Sequence, residues 1–136
     1  VTLDNAIRQL LLSMPPVTAL VAARVYVLHL PQSPTLPAVR VQTIDEHEPI
    51  HLRGPGNLRR ARVQVDSIGK EGAAAVELDA AVHGDGVSTG LRCFRGLVGT
   101  LLIDLIDPVD RRPAYDAEEL RQYKVLRDYF AWFREV

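Results

Sequence analysis

Cysteine, methionine and tryptophan each occur once in these 136 residues. With Cys93 alone no intrachain disulfide can form, and nothing points to an oxidising compartment. Neither sign of charge is in excess: 16 Lys and Arg stand against 17 Asp and Glu, a net charge of −1. A general nucleic-acid binder carries a basic surplus, so the balance argues against that class and leaves only local patches open. Long apolar runs are missing too. The best candidate for a span, Leu97 to Ile106, is too short and contains Asp104. Asp4 and Arg8 interrupt the apolar N-terminus, so no secretory leader is read there. These absences predict a soluble chain made in a cytoplasm, with no membrane partner. Hydrophobic residues make up 47%, enough for one sizeable core at this length. No internal repeat, low-complexity tract or linker divides the chain, which predicts a single domain over residues 1–136.

Periodicity then supplies the elements. Leu3, Ile7, Leu10, Leu11 and Met14 make one helical stripe, with Thr2 as N-cap and Pro15-Pro16 as the stop. Val17 to Ala23 adds a short second helical turn. Arg24 to Leu30 is rich in Val, Tyr and Leu and predicts a strand ending at Pro31; Pro31 to Pro37 is a stiff loop. Ala38 to Ile44 alternates as a half-buried strand. Asp45 to Asn57 reads as a long loop. Arg60 to Asp66 alternates most cleanly, with Ala61, Val63 and Val65 expected in the core and Arg60, Arg62 and Gln64 outside. Lys70 to His83 is a helix with Ala74, Leu78, Ala81 and Val82 inward and Gly84 as its stop. A polar loop, Asp85 to Gly90, precedes the β-rich run Leu97 to Ile106 and a charged, exposed stretch Val109 to Pro113. The end is ambiguous. Glu118, Glu119 and Leu120 favour helix, whereas Tyr129, Ala131 and Phe133 alternate with Phe130 and Trp132; the expectation is a turn or short helix near Ala117 and a strand over Tyr123–Phe133. The whole predicts an α+β fold: a mainly antiparallel sheet of about four to five strands flanked by two helices.

Side chains able to do chemistry are scattered. His47 and His51 have the i, i+4 spacing of a metal-binding helix, but Pro49 lies between them and the flanks are strand-like. A polar loop without metal is the reading adopted. His29 reads as a packed or edge residue, and His83 as an imidazolium at a helix C-terminus. Cys93 sits beside Arg92 and Arg95, with no motif bringing a histidine and an acid to it, and reads as a small buried or half-buried thiol. Gly54-Pro55-Gly56 lacks the Lys and Ser/Thr of a phosphate loop. Arg59, Arg60 and Arg62, with Arg53 upstream, form the one basic cluster, a subunit-facing or DNA-facing surface that Gln64 continues. No catalytic constellation and no cofactor site emerge.

The segment Leu52-Arg53-Gly54-Pro55-Gly56-Asn57-Leu58-Arg59-Arg60-Ala61-Arg62-Val63-Gln64-Val65-Asp66 resembles the central signature of small tail completion proteins of long-tailed phages. Ala23-Arg24-Val25-Tyr26, Leu30-Pro31-Gln32 and Leu36-Pro37-Ala38-Val39 resemble the family's first strand and the loop into its second. Phe94-Arg95-Gly96, and Tyr123 leading to Ala131-Trp132-Phe133-Arg134-Glu135, resemble its end, so the likeness spans nearly the whole chain in short motifs. The chain departs from the pattern at Ser67-Ile68-Gly69, in the longer Asp85 to Gly90 loop, and at Asp128 and Phe130.

The resemblance implies a ring, commonly a hexamer, seated on the last ring of tail-tube protein in a phage, prophage remnant or gene transfer agent. Such a ring ends tube growth, meets the head connector or adaptor, and passes DNA through its channel without reading sequence. It implies a virion protein of the head-proximal tail, present in the host cytoplasm during assembly, with no enzyme activity. Another neck component, such as a head-completion adaptor, is the nearest alternative. A thiol enzyme using Cys93 and a nucleic-acid module using the arginines are rivals of other classes. Asp45, Glu46, His47, Glu48, Ile50, His51, Leu52 and Arg53 are the expected assembly loop.

Overall fold

The computed structural model describes residues 2–48, 50–52, 54–55, 57–116 and 122–135. In chain order its elements are α1 (Leu3–Leu12), α2 (Pro15–Val21), β1 (Val25–Val27), β2 (Ala38–His47), β3 (Ile50–His51), β4 (Gly54–Pro55), β5 (Arg59–Gly69), α3 (Gly72–His83), β6 (Gly96–Val98), β7 (Leu101–Asp116) and β8 (Gln122–Glu135). The main sheet has the order β1-β2-β5-β8-β7-β6, and β3 and β4 form a separate two-stranded ribbon. Every neighbour in the main sheet is antiparallel except β1 on β2. The fold class is the expected one. The sheet is wider, with six strands, because the run Leu97 to Ile106 divides between β6 and β7; the strand expected over Arg24 to Leu30 is present as the three-residue edge strand β1.

The clean alternation of β5 is what organises the molecule. Ala61, Val63 and Val65 are buried, and their register partners Ala131, Tyr129 and Arg127 in β8 share that face. All three helices cover it: α1 on β1, β2 and β6, α3 on β5 and β8, and α2 against α1 and α3. Their inward stripes complete the core with Leu3, Ile7, Leu10, Leu11, Val17, Val21, Leu78 and Val82. Among the described residues no helix lies on the opposite face of the sheet.

The caps follow from residue chemistry. The Thr2 hydroxyl accepts from the Asn5 N–H at 3.3 Å and starts α1. Pro15-Pro16 does end the first stripe, but the same two residues open α2, where a first-turn N–H has no helical partner to lose. Gly84 ends α3 at φ +72°. A Cβ added to Gly84 would lie 2.1 Å from the Thr89 carbonyl oxygen, so glycine is required where the loop closes back on the helix. Asp85 ties that loop, its carboxylate accepting from the N–H groups of Val87, Ser88 and Thr89. In α3 itself the buried side is Ala75, Leu78, Asp79 and Val82, a stripe turned slightly from the expected one.

Several expectations change in the structure. Asp45, Glu46 and His47 are not loop: they continue β2, paired with Arg62, Ala61 and Arg60 across a bulge between Thr43 and Asp45. Their polarity hid a strand whose far end is exposed on both faces. Leu97 to Ile106 is a hairpin rather than one strand, with Val98 and Leu101 paired across the turn at Gly99-Thr100. The charged stretch Val109 to Pro113 is exposed as expected but lies within β7, held by pairing to β8. The strand expected over Tyr123–Phe133 is present as β8; the turn or short helix near Ala117 lies outside the described residues.

Candidate functional site

Cross-strand pairing decides what the uncovered face of the sheet is. Arg40 is opposite Asp66, Gln64 opposite Asp128, Arg62 opposite Phe130, and Arg60 opposite Trp132. Asp66 and Asp128 are buried although they belong to this open face, because arginines lie over them. Arg40 donates to Asp66 through Nε at 2.8 Å and through a second guanidinium N–H. Arg62 reaches Asp128 at 2.7 Å and Arg112 reaches its other oxygen at 3.2 Å. Asp110 adds a contact of 2.7 Å to Arg112, and the Gln64 amide donates to Asp66 at 2.8 Å. Beside this lattice the Arg60 guanidinium stands 4.9 Å from the Phe130 ring centroid, and Phe130 lies 6.0 Å from Trp132.

The expected surface of Arg59, Arg60, Arg62 and Gln64 is therefore brought together only in part. Arg60, Arg62 and Gln64 share the open face. Arg59 is opposite Phe133, on the helix side, where its guanidinium stands 3.7 Å from Glu46 and 3.9 Å from Glu48. Arg62 is held by carboxylates rather than free for phosphates, so the sheet face is a charge-matched surface with fixed donors.

The residues expected as an assembly loop form an arm. Asp45, Glu46 and His47 are its root in β2, Glu48 follows, and the β3–β4 ribbon carries it outward, with Ile50 and His51 in one leg. Leu52 at the turn is 109% exposed, so none of the described residues covers it. Arg53 lies outside the described residues. His47 is in one strand and His51 in another; among the described residues no group of three or more His, Cys, Asp or Glu side chains is placed to hold a metal. No helix among them is long and apolar enough to cross a membrane.

Two clusters escaped sequence reading because only register and helix docking create them. Asp79 of α3 is buried and takes Arg127 at 2.8 Å and Arg111 at 3.3 Å, stapling the helix to β8 and β7. One turn on, His83 Nδ1 meets the Tyr129 hydroxyl at 3.0 Å, while Arg127 lies 3.4 Å from Nε2. Arginine can only donate, so Nε2 accepts and the ring proton sits on Nδ1, facing the tyrosine oxygen. Burial, reinforced by Arg127 and Arg92, lowers the His83 pKa to about 4. The imidazolium expected at this helix end is therefore a neutral imidazole. Burial pushes the Tyr129 hydroxyl well above its ordinary value, so it stays protonated.

Cys93 is exposed, not buried, at φ 61°, with its N–H donating to the Ile106 carbonyl at 2.8 Å. It lines a hollow of about 440 Å³ in which no His, Asp or Glu takes part. A thiol there has neither base nor orienting acid.

The family model of tail completion protein gp17 matches residues 5–90, which is most of the chain and includes most of α1, the arm, β5 and α3. The chain belongs to the tail completion protein gp17 family. As a member it is a structural protein of tail completion and not an enzyme. The solved structures add the fold of the whole chain. A chain in the virion of a native gene transfer agent particle superposes with a TM-score of 0.65 at 19% identity, over 97% of this chain and 94% of that one. The likeness thus extends through β7 and β8, beyond the residues that the family model covers. Among curated proteins none matches the sequence.

Proposed function

We propose that the chain, acting as one domain, assembles into the ring that closes the head-proximal end of a tail tube and joins it to the head connector. The observation that carries this reading is the open sheet face. A sheet face without helix cover, holding buried carboxylates under arginines and a tryptophan beside a phenylalanine, is built as a contact surface. Its charges are matched in place, so it meets a protein surface better than it meets bare phosphates. Family membership supplies the context, and the fold shared with a chain of a gene transfer agent virion suits a tailed phage, a prophage remnant or a gene transfer agent. The partners are further copies of the chain in a ring, a hexamer in this reading, then the tail-tube protein and the connector or adaptor. DNA passes through the ring without sequence-specific contacts. The protein resides in the head-proximal tail of the virion and in the host cytoplasm during assembly. The arm from Asp45 to Arg53 is an assembly element in this reading, without metal.

Particle imaging tests it. Removing the gene should give tubes of irregular length that stay separate from filled heads, and supplying the chain in trans should restore both length control and joining. Tubes of normal length that fail only to join heads would reassign the chain to the head side of the neck. Normal, joined tails would reject the proposal.

A further inference from the structure

The arm and a groove at the far end of the sheet are complementary in polarity and charge, yet one chain cannot bring them together. The groove, about 350 Å³, lies between the start of α3 and the ends of β7 and β8; Gly72, Ala75, Val76, Pro113, Ala114 and Val125 give it apolar walls and Lys124 stands at its rim. Val76 is half exposed there. On the open face Lys124 also borders a second hollow of about 320 Å³, with Arg40, His29 and Gln122. The Gln122 side chain is buried and its Oε1 has no partner; turned by half a rotation, the same amide offers N–H to an acceptor. This end of the molecule is thus apolar with a basic rim. The arm is the converse: an apolar tip at Leu52 above a root where Asp45, Glu46 and Glu48 outnumber Arg59.

Reach excludes an internal contact. The arm leaves at Arg59 and the groove sits beside Gly69 and Tyr123, at opposite ends of the eleven-residue β5. At about 3.3 Å per residue that is on the order of 30 Å, while each leg of the arm spans roughly 15 Å. We infer that Leu52 of one copy docks in the Val76 groove of the next copy, with the arm's carboxylates meeting Lys124 at its rim. The patches are different on the two partners, so the contact is head-to-tail and each copy both gives and receives an arm. A single leucine-tipped arm falls well short of the roughly 1,200 Å² that a stable pair buries. Free chains therefore stay apart, and the contact holds where a closed ring lets every copy make it twice. This rests on the ring reading above and specifies its subunit contact.

The test uses the full chain with Cys93→Ser as background and the pair Leu52→Cys and Val76→Cys, read in assembled particles. Mild oxidation should give a ladder of covalent multimers that ends at the ring's copy number, with neither cysteine alone giving a ladder. In solution Leu52→Asp should melt as the parent does, because no described residue of its own fold covers Leu52, while the amount of chain held in rings in assembled particles falls at least about tenfold. Rings present in particles without any 52–76 link, or Leu52→Asp entering rings as fully as the parent, would overturn the arm contact and leave the ring standing. A link from residue 52 to tail-tube protein instead of a second copy would overturn the chosen occupant. Particles in which the chain forms no ring would remove both readings.

Discussion

At the scale of single residues the least replaceable side chains are polar ones in apolar company. Asp79 is buried and answers two arginines, so Asp79→Ala leaves Arg127 and Arg111 facing one another with no counter-charge. Breaking a buried pair from one side costs about 3 kcal/mol, and urea unfolding of that variant should show a loss of this size. Val63 is fully buried between β2 and β8, and Val63→Asp should prevent folding, visible as loss of the cooperative melt; a stable, soluble variant would show the face assignment to be mistaken. His83 makes a pH-dependent contribution. Its folded pKa, about 4, is below the ordinary 6.5, so between these values the unfolded chain binds a proton that the folded chain refuses. Stability should be unaffected by this group above pH 6.5, fall as pH drops from 6.5 towards 4, and change no further below. The difference between parent and His83→Gln, followed by denaturant unfolding across that window, should narrow as the pH falls.

Among elements, β7 is the one whose design is least apparent from its sequence. It runs for sixteen residues but β6 covers only Leu101 to Ile103, and Cys93 and Phe94 bond to Ile106 beyond that. The rest is an open edge carrying Pro108 and Pro113, which have no N–H to offer a further strand, together with Asp110, Arg111 and Arg112. Strand addition along this edge is thereby discouraged. Replacing Pro108 and Pro113 together with Val should leave the melt nearly unchanged and raise light scattering at high concentration. The helix stop after α3 works by close approach instead. Gly84 and Gly90 lie so near each other that a Cβ on Gly90 would stand 2.3 Å from the Gly84 Cα, and both have positive φ. Gly90→Ala should cost more than about 1 kcal/mol in thermal or urea unfolding, since neither backbone can give way without loosening the loop.

For the whole molecule the organising fact is asymmetry. All three helices lie on one face of the sheet, the arm leaves one end, and the apolar groove opens at the other. An arm deletion must respect that β2 continues through His47. Removing residues 48–57 with a short turn in their place should leave the melt of the parent and a chain unable to terminate tails, scored by tube length in electron micrographs. Cutting back into Glu46 and His47 should in addition destabilise the sheet, since these residues pair with Ala61 and Arg60.

Much of this was legible in the sequence, for a physical reason. A helix stripe and a strand's alternation are local patterns, set by 3.6-residue and two-residue periods that the chain carries wherever one face is buried. That is why α1, the core face of β5 and the aromatic-rich β8 could be read from residues alone, and why Leu52 to Asp66 was enough to suggest the family. Pairing is not local. Whether Asp45 to His47 is loop or strand, and whether Leu97 to Ile106 is one strand or two, depends on partners far along the chain, and short or exposed segments leave no period to betray them. The burial of Asp66, Asp79 and Asp128 depends on register and helix docking, which set each carboxylate under its arginines. So does the neutral state of His83, set by its burial and reinforced by an arginine 44 residues away. Sequence determined which face of each element is apolar; only the tertiary structure decided which charges meet, because a charge is satisfied in space and not along the chain.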